Sequence, residues 1–390
     1  MAKKGLPDVG STVEDLESQW HRVVKRRSFL RGLGVVSAAL PAVALVPGTV
    51  QASDDSRLNK GDIAILRFLA AAEIIESDLW EQYSELGGAL GANPAYKAAL
   101  ENIDGDMPQY ITDNTDDEES HAEFLNAYLK SKGAPQVSLE KFRTLPTTAA
   151  TGAQNRKRLT NLKNLTVDTS WYTRYRGMGN PDLGATFDQA VTIRNQPAIP
   201  LNDTETPPTT AQDNLPTTVA ARRMQAIADT AAFHFALIEQ GGSSLYTGLA
   251  TKASSLEVLR IIVSIGGVEV DHFSLWHDKV ANTVSGSLAG LTDPVSGLHF
   301  PDLSDPAHFD QERFQPNKIL PEPADFISKS LPKCSVIRPT SAANAGAVAA
   351  VRSLTADHLF EGQSQEFLRT LMALAVAADA ARRDLQNNND

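Results

Sequence analysis

Two short segments of the sequence each carry a glutamate and a histidine three residues apart. These are Glu118 and His121 in DEESHAEFL, and Glu269 and His272 in GGVEVDHFSLW. In a helix this spacing places both side chains on one face, about one turn apart. The face around Glu269 is apolar, and burying a bare carboxylate costs several kcal/mol unless it has a partner. Two copies of the pattern therefore indicate a shared partner, and carboxylates with imidazoles are suitable ligands for metal ions.

Two further glutamates interrupt apolar helical stripes. Glu239 lies in FHFALIEQGGSSLY and Glu73 in LRFLAAAEIIESDLW. In a helical hairpin, residues at one level are equidistant from the turn. The midpoint between Glu239 and Glu269 falls in the turn KASS, and the midpoint between Glu73 and Glu118 falls in GANPAY. Glu76, one turn after Glu73, fits this test nearly as well.

Together these six side chains would supply a ligand set for two metal ions. Four glutamates provide hard oxygen atoms and two histidines provide one nitrogen per ion. Glu118 is a bridging candidate, with either Glu239 or Glu269 as the second. A single Glu-x-x-His pair on a helix is more often solvated than metal-bound. Trp80 and Tyr246, two turns from the expected ligands, are interpreted as core aromatics.

Long amphipathic helices must position these residues. Apolar periodicity predicts helix 1 from Asp62 to about Gly87, a second helical stretch from Pro94, broken near 104–108, to Gly133, and two more helices within 216–284. Residues 53–133 and 216–284 would then form two hairpins. The Thr-, Pro- and Asn-rich segment 134–215 between them is predicted to be an irregular insertion, with short elements around Trp171 to Tyr175. Residues 285–390 are predicted as a loop-rich extension with one helix at about 354–385.

The predicted fold class is all-α, with an antiparallel four-helix bundle and a long crossover between helices 2 and 3. An all-α enzyme of different topology is the alternative.

The first 52 residues resemble a twin-arginine export signal. Arg26 and Arg27 are followed by Ser-Phe-Leu, a 15-residue uncharged run and a small-x-Ala site ending at Ala52. The resemblance implies export of a folded protein to the periplasm or the extracellular space, with no transmembrane anchor after cleavage. A retained amphipathic helix is the alternative.

Composition excludes one class of partner and says little about redox chemistry. The chain has a net charge of −11, and residues 1–52 carry seven Lys/Arg and four Asp/Glu, so the remainder has a net charge of −14. Such an acidic surface does not favour nucleic acid. The single cysteine, Cys334, cannot form an internal disulfide and is predicted to be a packed thiol.

Four segments resemble the helices of the exported ferritin-like domain family that includes the plant desiccation-related proteins. They are LRFLAAAEIIESDLWEQY, DEESHAEFLNAYL, FALIEQGGSSLYTGL and IIVSIGGVEVDHFSLW. The resemblance implies a ferritin-like bundle whose di-iron-type ligands are Glu73, Glu118, His121, Glu239, Glu269 and His272. The choice of Glu73 over Glu76 rests on it.

Two functional hypotheses follow from these features. The first is an exported di-iron or di-manganese carboxylate protein acting on Fe(II), peroxide or dioxygen, which as an enzyme would be a ferroxidase-like or manganese-catalase-like oxidoreductase. The second is a stress-protective or envelope-structural protein in which the two metal ions stabilise the bundle. Self-association into a homo-oligomer stays open in both.

Overall fold

The protein is described by a computed structural model that covers residues 58–169, 191–204, 218–303, 321, 323–324, 327–335 and 346–384. The predicted signal segment 1–52 and the short elements predicted at 171–175 lie outside the described residues. All described residues belong to one compact unit of the chain.

Four long helices form an antiparallel bundle, which confirms the predicted fold class. They are α1 (Lys60–Gly87), α3 (Met107–Ser131), α4 (Val219–Ala250) and α5 (Leu256–Ala281), with a short helix α2 (Pro94–Ile103) between α1 and α3. Thr115 donates a hydrogen bond to the backbone oxygen of Trp80, and His121 lies beside Glu73, so α1 and α3 run in opposite directions. A five-residue turn joins α4 to α5 in the second hairpin.

The long helices begin where the sequence supplies capping side chains. Asn59 accepts a hydrogen bond from the backbone N–H of Asp62 at 2.8 Å, and Thr218 and Ser255 cap α4 and α5 in the same way. Asp62 in turn accepts the backbone N–H groups of Ser254 and Ser255, each at 2.9 Å. The start of α1 is thereby joined to the turn that precedes α5.

The crossover between α3 and α4 is mostly irregular where it is described. It contains a 3-10 turn (Glu140–Phe142) and two short antiparallel strands, β1 (Leu165–Val167) and β2 (Ile193–Gln196).

The buried carboxylate of Asp78 fixes this crossover to α1. Its Oδ2 accepts the backbone N–H groups of Leu159 and Thr160 at 2.9 and 2.8 Å and the Thr160 hydroxyl at 2.7 Å, and Arg143 donates to Oδ1. A single buried carboxylate therefore satisfies four donors of the crossover.

The C-terminal region contains two helices, so the prediction of one helix at about 354–385 was wrong. They are α6 (Ala347–Ala356) and α7 (Gln365–Ala380). His358 and Gly362 between them have φ angles of 65° and 87°, in the left-handed region that interrupts a helix. Ser364 then accepts a hydrogen bond from the backbone N–H of Phe367 and starts α7. α7 packs on α1, outside the bundle.

Apolar side chains from the bundle, the crossover and the C-terminal helices form one continuous core. Within the described ranges, none of the helices combines the length and apolar character needed to cross a membrane. Cys334 is exposed, which corrects the prediction of a packed thiol, because it lies in an irregular segment outside the bundle.

Candidate metal centre

The bundle brings all six predicted side chains to one level in its core. Their positions are Glu73 on α1, Glu118 and His121 on α3, Glu239 on α4, and Glu269 and His272 on α5. The glutamates are at most 1% exposed and the histidines at most 8%. Glu73, Glu239 and Glu269 interrupt apolar stripes, so folding these stripes into a core carries their carboxylates inside.

The six residues form two overlapping groups. One group contains Glu73, Glu118, His121 and Glu269, and the other contains Glu118, Glu239, Glu269 and His272. Within each group one ligand-type atom per residue lies within 4.8 Å of all the others. Ligands bound to one ion at about 2.1 Å lie up to about 4.2 Å apart, so this spacing is close to what one ion requires. Glu118 and Glu269 belong to both groups.

Both histidines direct Nδ1 at the carboxylates. His121 Nδ1 lies 3.2 Å from Glu118 Oε2 and 3.4 Å from Glu73 Oε2. His272 Nδ1 lies 3.1 Å from Glu118 Oε1 and 3.3 Å from Glu239 Oε2. Each imidazole is therefore next to a glutamate that belongs to one group only, Glu73 or Glu239, and to Glu118, which belongs to both.

The outer nitrogen of His272 has a carboxylate partner of its own. His272 Nε2 lies 3.1 Å from Oδ2 of Asp117, whose side chain is half exposed. A hydrogen bond from Nε2–H to this carboxylate fixes the tautomer in which Nδ1 is free to bind a cation.

A hydrogen-bonded network fixes the carboxylates on the side of Glu118 and Glu239. Asn114 Nδ2 donates to Glu118 Oε1 at 2.9 Å and to Glu239 Oε1 at 3.1 Å. Trp80 Nε1 donates to the same Glu239 oxygen at 3.0 Å, and Trp276 Nε1 donates to Asn114 Oδ1 at 2.7 Å. The two indole rings stack with centroids 5.4 Å apart. Oε1 of Glu239 is thus satisfied by the protein, which leaves Oε2 to face the centre.

On the opposite side, the hydroxyl of Tyr246 donates a hydrogen bond to Oε1 of Glu73. Close packing of α4 on α5 positions this tyrosine, because a β-carbon at Gly266 would approach Tyr246 Cβ to 2.7 Å. Gly242 has the same relation to Glu269, whose carboxylate would overlap a β-carbon there. Each glycine is one of an adjacent pair, Gly241–Gly242 or Gly266–Gly267, and makes room for a side chain of the centre.

The electrostatics of the centre are set by burial and by the two histidines. Burial is the main cause that raises the pKa of Glu73 to about 8, although the hydrogen bond with His121 opposes it. Burial likewise raises the pKa of Glu269 well above its ordinary value, with repulsion from Glu118 added. For Glu118, hydrogen bonds from His121 and His272 outweigh burial and lower its pKa to about 2.

For the two histidines, burial lowers the pKa and the neighbouring carboxylates raise it. Burial lowers the pKa of His121, but its hydrogen bonds with Glu118 and Glu73 outweigh burial and raise that pKa to about 10. The pKa of His272 is raised for the same reason, with the charge of Glu239 as the largest contribution after burial. The two histidines thus favour their protonated form and place positive charge beside the carboxylates, where bound metal cations would also place it.

Buried atoms without a well-formed hydrogen bond provide a direct test of whether metal ions fit. Five buried ligand-type atoms make no well-formed hydrogen bond and have at most an ion-pair contact with an imidazole of the centre: Glu73 Oε2, Glu239 Oε2, both carboxylate oxygens of Glu269, and His272 Nδ1. Buried polar atoms are normally hydrogen-bonded, so such a concentration needs an explanation. Four ionised carboxylates balance the charge of two divalent ions, and the donor set suits iron or manganese. The residues present therefore fit two metal ions.

The structure places Glu73, and not Glu76, in a ligand-type group. Glu76 lies one turn further along α1 and is half-buried. Sequence reasoning missed Asn114 and Asp117, although both lie on the same helix as the Glu118–His121 pair. It also interpreted Trp80 and Tyr246 as core aromatics, whereas each donates a hydrogen bond to a glutamate of the centre.

The chain matches the family model described as a ferritin-like domain over residues 61–282. This range covers more than half of the chain and includes all four bundle helices except the first residue of α1, Lys60. No curated protein matches the chain, and no solved structure matches it.

Proposed function

Because the chain belongs to the ferritin-like domain family, we propose that it is a di-metal carboxylate protein with iron or manganese at its centre. Its substrates would be dioxygen, peroxide or Fe(II). The observation that carries the proposal is the pair of four-residue groups that share Glu118 and Glu269. Such sharing suits two ions held side by side by common carboxylates, and a single-ion site does not need it.

The two groups assign a role to each side chain. Glu73 and His121 would hold one ion, Glu239 and His272 would hold the other, and Glu118 and Glu269 would bind both. A pair of iron or manganese ions supplies the capacity to accept and release electrons, which side chains alone lack.

The protein's own contribution is orientation, proton control and exclusion of water. Trp80 and Asn114 hold Oε1 of Glu239, and Asp117 orients the ring of His272. Tyr246 carries a proton at its hydroxyl that is already hydrogen-bonded to Glu73. Buried aromatic side chains pack around these groups and keep bulk water away.

The test begins with the metal content of protein purified from its own host, measured by mass spectrometry. We expect two iron or manganese ions per chain, and consumption of peroxide or oxidation of added Fe(II). The double variant His121→Ala/His272→Ala should lose most of the metal and both activities. His299→Ala is the control, because His299 is exposed and bonded to Thr292 outside the bundle.

The outcome also separates the redox hypothesis from the structural one. Two bound metals with neither activity would favour the stress-protective or envelope-structural function. Two metals retained in the double histidine variant would refute the centre as assigned.

A further inference from the structure

Three oxidisable rings form a line from the metal centre to the surface of the bundle, and we refer to Trp80, Trp276 and Tyr110 as the aromatic line. The indole of Trp80 stacks on that of Trp276 with centroids 5.4 Å apart, and the ring of Tyr110 lies edge-on to Trp276 with centroids 6.4 Å apart. Both separations are those of rings in direct contact. The indoles are at most 1% exposed, whereas Tyr110 is partly exposed. The aromatic line therefore begins in the core and ends where a molecule in solution can touch it.

Hydrogen bonds connect the inner end of the aromatic line to the centre. Trp80 Nε1 donates to Glu239 Oε1 at 3.0 Å. Trp276 Nε1 donates to Asn114 Oδ1 at 2.7 Å, and Asn114 Nδ2 in turn donates to Glu118 and Glu239. Each indole is thus one or two hydrogen bonds away from a carboxylate of the centre.

The outer end of the aromatic line can lose an electron and a proton together. The hydroxyl of Tyr110 lies 3.5 Å from Oδ2 of Asp106, an exposed carboxylate at the start of α3. Removal of an electron from a phenol makes its hydroxyl strongly acidic, so the proton needs an acceptor. Asp106 and the surrounding water provide one. Tyr110 can therefore become a neutral radical and recover an electron and a proton from outside.

A second branch of the aromatic cluster ends inside the protein. The ring of Tyr83 lies 5.8 Å from that of Trp80 between centroids, but Tyr83 is fully buried. Its hydroxyl is hydrogen-bonded to Nδ1 of His234, which is also buried, at 2.8 Å. A donor in solution cannot touch this pair. Tyr110, and not Tyr83, therefore offers contact with the solvent.

We propose that Trp80, Trp276 and Tyr110 carry single electrons from a donor at the protein surface to the centre. The donor is a one-electron reductant too large to enter the core. The oxidant is hydrogen peroxide at the centre, so the inference rests on the proposed function. Two donor molecules each lose one electron, and one hydrogen peroxide takes up these two electrons and two protons to give two water molecules. The protein thus acts as a peroxidase toward donors that contact Tyr110.

The experiment uses the full-length, metal-loaded protein with hydrogen peroxide and a ferrocene that carries a trimethylammonium group. This donor loses one electron to give a coloured ferrocenium ion, and its positive charge suits a chain of net charge −11. It is too bulky to reach glutamates that are at most 1% exposed. In separate samples without ferrocene, a nitrone spin trap is added with the peroxide, and mass spectrometry of peptides locates the trapped radical. This second measurement reports where the electron is lost, whatever the rate of turnover.

Three variants test the role of Tyr110. Tyr110→Phe is the main variant, because phenylalanine keeps the packing of the ring but is far harder to oxidise than a phenol or an indole. Tyr110→Trp is the rescue variant, since an indole is oxidisable. Tyr128→Phe is the matched control. Tyr128 is another partly exposed tyrosine of α3, and it stacks on Phe124 and donates to Glu257.

We expect the unaltered protein to oxidise the ferrocene and to carry the spin-trap adduct on Tyr110. Tyr110→Phe should lower the rate of ferrocene oxidation at least tenfold while its metal content stays the same. Tyr110→Trp should restore the rate, and Tyr128→Phe should leave it unchanged. An adduct confined to other residues, or an equal rate in Tyr110→Phe, overturns the inference.

Metal content, peroxide consumption and Fe(II) oxidation are measured on the same preparations without ferrocene. Two metals with either activity, but no ferrocene oxidation that depends on Tyr110, would overturn the role of the aromatic line and leave the proposed function standing. A protein that holds no metal and has neither activity would refute the proposed function and this inference with it.

Discussion

Asp117 shows how a half-exposed residue can control a buried one. Its carboxylate lies outside both ligand-type groups, yet it is the partner of the outer nitrogen of His272. Removing such a partner leaves the imidazole free to change tautomer or rotate. The position is easily overlooked in the sequence, because DDEES resembles any solvated acidic run.

Asp117→Asn should lower metal affinity by about 10- to 100-fold, the usual effect of losing a partner that orients a metal-bound histidine. The affinity is measured by competition with a chelator. Asp116→Asn removes the same charge from the neighbouring exposed position and is the control. Equal losses in both variants would show that surface charge, and not the orientation of His272, sets the affinity.

The distinction between Glu73 and Glu76 is testable at the same scale. Glu73→Gln should reduce the metal content well below two ions per chain, because Glu73 belongs to a ligand-type group and its Oε2 faces the imidazole of His121 at 3.4 Å. Glu76→Gln should change it little, since Glu76 belongs to neither ligand-type group. Mass spectrometry of the two purified variants decides the question, and the reverse result would move the α1 ligand by one turn.

At the scale of elements, the two glycine pairs set how closely α4 and α5 approach. Gly242 and Gly266 each lie against a side chain of the centre, whereas Gly241 and Gly267 face open space. In each pair, then, one glycine is required by packing and the other is not. A glycine without such a role destabilises a helix by about 1 kcal/mol relative to alanine.

Gly242→Ala should displace Glu269 and lower both metal content and stability, because the new methyl group would overlap that carboxylate. Gly241→Ala should retain the metal and gain up to about 1 kcal/mol in the free energy of unfolding. Urea denaturation and metal analysis of both variants check the prediction. A Gly242→Ala protein with full metal content would contradict the packing described here.

The elements also show what the sequence could and could not predict. The bundle helices were predictable because apolar periodicity is local. Three of the glutamates were predictable because they interrupt apolar stripes, and Glu118 because it repeats the Glu-x-x-His spacing. The break between α6 and α7 was missed although Gly362 and Ser364 are local signals for it. The bond from Trp80 to Glu239 joins residues far apart in sequence, and no local pattern encodes such a contact.

At the scale of the whole molecule, the centre couples folding to pH. The pKa of Glu73 is raised from 4.5 to about 8 and that of His121 from 6.5 to about 10. For both groups the folded state holds a proton that the unfolded chain releases at lower pH. Their contribution to stability is therefore complete below pH 4.5 and 6.5, respectively, and is lost as pH rises through about 8 and 10. Glu118 has its pKa lowered from 4.5 to about 2, so its contribution to stability is complete above pH 4.5 and is lost as pH falls through about 2.

We therefore expect the metal-free protein to lose several kcal/mol of unfolding free energy, on the order of 6, between pH 6 and pH 9. Urea denaturation at the two pH values measures it. The metal-loaded protein should lose less, because cations then balance the carboxylates. Greater stability of the metal-free protein at pH 9 than at pH 6 would contradict the assigned protonation states.

Export is the remaining prediction at this scale. If residues 1–52 are a twin-arginine signal, replacing Arg26 and Arg27 with lysine should leave folded, metal-loaded protein in the cytoplasm, because only the signal is altered. Cell fractionation followed by metal analysis of each fraction provides the measurement. Unchanged export of the Lys-Lys variant would argue against this route.

The order of elements along the chain has a consequence for synthesis on the ribosome. Every residue of the centre lies between Glu73 and His272, whereas α6 begins at Ala347. At roughly 5–20 residues per second, the interval between these points is roughly 4 to 15 seconds. During that time the nascent chain contains the complete ligand set while α6 has not yet been made. The four bundle helices can thus assemble the ligand set before α6 and α7 have been added to the chain.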